Sequence, residues 1–121
     1  MLEIELISRQ VKQKSINMIY NIDLLLKEID KLNNPNSFNI EETLSSISNL
    51  LSVINRSLQW RNEPSTFSRR KLEDISYKLS SWLLSNMNKY REAYIIRDKV
   101  HKLVVLLDDP SKYNPFVWSN I

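Results

Sequence analysis

No glycine occurs among the 121 residues, and that absence narrows the folds open to this chain more than any other property. Glycine reaches positive φ without steric cost, and the tight turns of β-hairpins depend on it or on Asn and Asp. A β-rich fold with many short hairpins is therefore disfavoured. Helices also lose their commonest C-terminal stop, so they are expected to end at Asn, at Pro or by fraying. Four prolines supply part of that punctuation.

The hydrophobic spacing is helical throughout. Ile4, Ile7, Val11, Ser15, Met18, Ile22, Leu25, Ile29 and Leu32 recur at alternating steps of three and four, a heptad seam that Ile19 and Leu26 widen. At 1.5 Å per residue this helix would be roughly 40 Å long. The "NNPNS" run at 33–37 ends it, because Pro35 has no N–H to donate and disfavours helix at the residue before it. A second helix is predicted over about 40–61, with Asn39 and Glu42 forming a capping box. Its stripe is Ile40, Leu44, Ile47, Leu51, Ile54 and Leu58, flanked by Leu50 and Val53, with most Ser and Asn residues turned to water.

After the break "NEPSTF" at 62–67, Ser68 is the predicted N-cap of a third helical region reaching about Leu107. Leu72, Ile75, Leu79, Trp82 and Leu83 are its first core residues. Ala93, Ile96, Val100, Leu103, Val104 and Leu107 are its last. The apolar face shifts phase between them, at "SNMNKY" over 85–90. With neither Gly nor Pro there, the reading is an all-α, elongated three-helix bundle, and the alternative is a four-helix bundle with a turn near residues 85–90. Residues 1–109 form the bundle. Residues 110–121 form an extended aromatic C-terminal segment packed on the bundle or on a partner, since Tyr113, Phe116, Val117, Trp118 and Ile121 are each worth about 1.5–3 kcal/mol on full burial.

Chemistry is sparse. The absence of Cys excludes disulfides, thiolate metal sites and cysteine nucleophiles. His101 is the single histidine, and no Gly-x-Ser-x-Gly elbow accompanies it. Asp98 and His101 are three apart on a helix, but a bundle-type dinuclear centre needs two such pairs and inward Glu residues besides. Arg97 and His101 have three residues between them, where helical nucleases commonly have four, and a one-residue error rotates a side chain by about 100°. Paired carboxylates fall near helix ends or on polar faces, and phosphate-binding loops need glycines that are missing here. No enzyme, no cofactor, no metal and no small-molecule substrate are expected.

The formal charge is +3, with the basic excess in the second half of the chain. Arg69, Arg70 and Lys71 sit in a helical first turn, where the helix dipole disfavours cations, so they require an offsetting partner. Together with Lys78 and Lys89 they form a candidate anion or nucleic-acid surface. Tyr90 and Tyr94, four apart, and Phe116, Trp118 and Ile121 in the tail are candidate protein-interaction residues. The longest apolar run is Leu103–Leu107, so neither a signal peptide nor a membrane span is expected, and an intracellular, cytoplasmic setting follows. Heavy use of Asn, Ser, Ile, Leu and Lys is compatible with an AT-rich coding sequence, as in a low-GC microbe or a virus. The functional expectation is a noncatalytic assembly subunit, adaptor or inhibitor that meets another protein or a second copy. The alternative is an accessory subunit that binds nucleic acid through the basic surface of the third helical region.

Overall fold

The computed structural model describes residues 18–34, 39–60 and 63–108. Among these described residues there are four helices: α1 over 18–32, α2 over Ile40–Gln59, α3 over Thr66–Asn86 and α4 over Arg91–Asp108. The predicted seam from Ile4 to Ser15 lies outside the described residues.

The expected three-helix bundle is corrected by the break at 87–90, and the four-helix alternative has the turn in the right place. Asparagine does there what glycine does elsewhere. The Asn86 side-chain amide donates to the Trp82 carbonyl at 2.8 Å. The Met87 N–H donates to the Leu83 carbonyl at 3.0 Å, and the Lys89 N–H to the Asn86 carbonyl at 3.1 Å. Met87 keeps φ −54 and ψ −40, so the chain leaves α3 without positive φ at the cap. The Tyr94 hydroxyl then ties Asn88 Oδ1 to α4 at 3.1 Å.

The extended aromatic tail is also corrected, in that no aromatic cluster among the described residues supports it. Residues 110–121 lie outside them, and the stacked ring pair within them, Trp82 with Tyr90, belongs to the α3–α4 corner.

Local signals explain the helix starts. Asn39 caps α2 by accepting from the Glu41 N–H at 3.0 Å, with Glu41 and Glu42 in the favourable first turn. Ser65, rather than Ser68, caps α3: its hydroxyl accepts from the Ser68 N–H at 3.1 Å, and Ser68 is buried one turn inside. Asn33 and Asn34 turn the chain at the end of α1, donating to the Asp30 and Lys31 carbonyls.

Cross-helix contacts fix the directions. Asp23 meets Lys71 while Ile29 and Leu32 face Tyr77 and Trp82, so α1 and α3 run parallel. Leu44 lies by Tyr90 and Asn55 by Lys99, so α2 and α4 also run parallel. Arg69 of α3 reaches the Leu107 carbonyl of α4, so that pair is antiparallel. The result is up-down-up-down, with α4 packed on both α2 and α3.

Each helix contributes its predicted stripe to one core: Met18, Ile22, Leu25, Ile29 and Leu32; Leu44, Ile47, Leu51, Ile54 and Leu58; Leu72, Ile75, Leu79 and Leu83; Ala93, Ile96, Val100, Leu103 and Leu107. Three expected core or flanking residues, Ile19, Val53 and Val104, are exposed instead. Val104 is turned about 100° off Leu103, whereas Leu106, three residues on, returns to the stripe and is buried.

Candidate interaction surface

The basic cluster at the start of α3 is largely neutralised from within. Arg69 pairs with Glu73 at 3.3 Å and donates to the Leu107 carbonyl, which places a cation at the negative end of α4. Lys71 pairs with Asp23 of α1 at 3.0 Å, and its ammonium lies 4.5 Å from the centre of the Phe67 ring. Lys78 pairs with Asp74 at 3.2 Å. These contacts supply partners for two of the three first-turn cations, Arg69 and Lys71. Arg70 is exposed on α3, and Lys89 is exposed in the turn beyond α3, off the face that carries Lys71 and Lys78. The described residues hold 12 basic and 11 acidic side chains, so they form no strongly biased field.

Sequence reasoning missed a polar seam inside the bundle. Ser48 and Asn55 of α2 are buried, although Ser and Asn were expected to face water. The Lys99 ammonium donates to the Ser48 carbonyl at 3.1 Å and to the Ser48 hydroxyl at 2.7 Å. The Asn55 amide donates to the Lys99 carbonyl at 2.9 Å, while its Oδ1 is buried with no hydrogen-bond partner among the described residues. A stripe of Leu44, Ser48, Leu51, Asn55 and Leu58 keeps the four-three spacing of a core face, which is the signal that marks both residues as inward. Such groups favour the α2–α4 register in which they pair over slipped ones.

The aromatic candidates divide. Tyr90 is half-buried and stacks on Trp82, with centroids 5.9 Å apart and an interplanar angle of 22°; it closes the α3–α4 corner. Tyr94 is 46% exposed, bound through its hydroxyl to Asn88 and covered by Arg97 at 5.5 Å from the ring centre. Phe116, Trp118 and Ile121 lie outside the described residues. Larger exposed groups, not singled out by the periodicity, are Leu84 (87% exposed), Tyr77 (73%), Phe67 (69%) and Trp60 (65%). Tyr77 borders a groove of about 370 Å³ between the second halves of α1 and α3, with Ile29, Leu32 and Trp82 beneath it and Ser81 and Ser85 along its edge. Leu84 lies outside that lining, on the same outward face of α3 as Tyr77.

Comparison with family models, curated proteins and solved structures finds no match. The chain's own geometry therefore carries the functional reading. Among the described residues no group of three or more His, Cys, Asp or Glu side chains is placed to hold a metal. No helix among them is long and apolar enough to cross a membrane. His101 is exposed on α4, and Arg97 beside it pairs with Asp98 at 3.3 Å.

Proposed function

We propose that this all-helical domain is a noncatalytic protein-interaction module, an adaptor, assembly subunit or inhibitor, that binds through apolar side chains on the outside of the bundle. The observation that carries the reading is the surface around the α1–α3 groove. Tyr77 borders a cleft whose lining includes Ile29, Leu32 and Trp82, and Leu84, seven residues further along α3 and outside that lining, is held out in water on the same outward face as Tyr77. Large apolar side chains held in water on one helix face favour burial against another chain, while the nearby Lys71 and Lys78 already have carboxylate partners.

A second reading, an accessory nucleic-acid-binding subunit, is favoured by Arg70 and Lys89, which are exposed and form no ion pair among the described residues. The two readings respond oppositely to salt. Under the proposed function, a partner captured on the protein from its native extract is retained through a wash at roughly 0.5 M salt, where exposed charges are screened over a few ångströms. The same partner is lost with Leu84→Asp and kept with the double variant Arg70→Gln/Lys89→Gln. Salt-sensitive binding to RNA or DNA that the double variant abolishes and Leu84→Asp leaves intact would replace this reading with the second.

A further inference from the structure

The buried positions of the first two helices recur in the last two. Those of α1 return fifty residues on in α3: Met18 with Ser68, Ile22 with Leu72, Leu25 with Ile75 and Ile29 with Leu79. Those of α2 return forty-nine residues on in α4: Leu44 with Ala93, Ile47 with Ile96, Leu51 with Val100, Ile54 with Leu103 and Leu58 with Leu107. Heptad spacing alone lets any two such helices be aligned. It does not require both pairs to share one offset to within a residue, nor does it set their directions. Here α1 is parallel to α3 and α2 to α4, so the hairpin α1–α2 carries over onto α3–α4 as a unit.

Two operations could relate the hairpins. A twofold axis along the bundle puts parallel helices at opposite corners and has them use the same face. A translation sets them side by side and has them use different faces. The parallel helices α2 and α4 pack directly on each other. Ser48 and Asn55 of α2 meet α4, while the matching residues of α4, Arg97 and Val104, are exposed. Lys99 of α4 meets α2, and its match there is Leu50. Asp23 of α1 likewise meets Lys71 of α3, whereas its match, Glu73, is exposed and pairs with Arg69 on its own helix. The contact faces differ, as a translation requires.

We infer that α1–α2 and α3–α4 are two units of a helical repeat, stacked in the same orientation, and that the outer face of α4 is the cap that ends the stack. Ser45, Ser48 and Asn55 are small and uncharged and let α4 approach α2 closely. At the matching positions α4 carries Tyr94, Arg97 and Val104, with Arg97 5.5 Å from the centre of the Tyr94 ring and paired with Asp98. A third hairpin would have to bury that guanidinium, and a polar outer face is what the terminal units of stacked repeats present. The relation also explains why Val104 stands in water although its match, Asn55, is buried.

Spin labels at matched exposed positions test the stacking in the full chain, whatever the domain binds. In Asn49→Cys/Asp98→Cys and in Asp30→Cys/Ser80→Cys the labels point the same way from neighbouring helices about 8–10 Å apart, so each pair should be separated by less than about 25 Å. Labels related by a twofold axis point apart from opposite corners, and a separation above about 30 Å in either pair would overturn the translation. An insertion tests the repeat itself. A second copy of residues 60–108, placed between Gln59 and Trp60, carries Glu73→Asp, Tyr94→Ser, Arg97→Ser, His101→Ser and Val104→Asn, which give its outer face the residues of α1–α2. This chain should fold as three stacked hairpins, with unchanged ellipticity per residue and a thermal midpoint no lower than that of wild type. The same insertion without the substitutions leaves the cap inside the stack and should melt at least about 5 °C lower. A substituted copy that stays unfolded, read as a drop in ellipticity per residue, would show that the hairpins are not interchangeable units and overturn the repeat. Equal midpoints for the two insertions would overturn the cap.

Discussion

Leu103→Ala should lower the stability of the bundle by about 3 kcal/mol and its thermal midpoint by roughly 10–20 °C. Leu103 is fully buried on α4, the helix packed against both α2 and α3. Truncation there removes the transfer free energy of the lost methyl and methylene groups and leaves a cavity that two neighbours must close at once. The polar seam limits how far they can move. Lys99, one turn earlier, is bound to Ser48 and Asn55 of α2, so α4 cannot slide inward to fill the space without breaking those hydrogen bonds. Chemical denaturation of wild type and variant measures the difference. A loss below about 1 kcal/mol would mean that α4 does not occupy the centre of the packing described here.

Trp82→Ala has the next largest expected effect, about 2–3 kcal/mol. Trp82 is only half-buried, which reduces its burial contribution relative to a core tryptophan. It compensates by position. Its ring stacks on Tyr90 and its side chain lines the α1–α3 groove, while the bond from Asn86 to its backbone carbonyl is retained in the variant. The indole therefore joins the end of α3, the turn and the start of α4. Trp82→Ala and Tyr90→Ala combined in a double-mutant cycle should show a coupling of about 1 kcal/mol. Additive losses would show that the two rings contribute independently and that the stack does not hold the corner together.

Much of the fold is legible in the sequence because the buried stripes repeat at helical spacing. Ile22, Leu25 and Ile29, or Leu44, Ile47 and Leu51, point inward on periodicity alone, and they are buried as that periodicity requires. The four-helix division was harder to read because the absence of Gly and Pro at 85–90 suggests an uninterrupted helix. Asn86 and Asn88 are the relevant signal, since an asparagine amide can satisfy the last carbonyls of a helix and an asparagine oxygen can tie down the start of the next. Ser48 and Asn55 were hidden by their polarity, although their spacing places them on the core face. The role of the basic cluster was half legible. The dipole argument says that Arg69 and Lys71 need partners, but only the fold brings the Leu107 carbonyl and Asp23 to them. Leu84 and Tyr77 carry no periodic signal because an outward apolar residue breaks the amphipathic pattern without replacing it.

Everything proposed for the surface depends on α3 ending at Asn86, since that reversal sets α4 antiparallel to α3 and gives the bundle its fourth helix. A distance between the two helices tests this most directly. Cysteines introduced as Glu73→Cys on α3 and Val104→Cys on α4, both at exposed positions, can be spin-labelled specifically in a chain that has no other thiol. With the helices packed about 8–10 Å apart, as the reach of Arg69 to Leu107 requires, double electron-electron resonance should give a label separation below about 25 Å. An unbroken helix would hold those positions roughly 46 Å apart at 1.5 Å per residue. A distribution centred above about 40 Å would contradict the four-helix bundle.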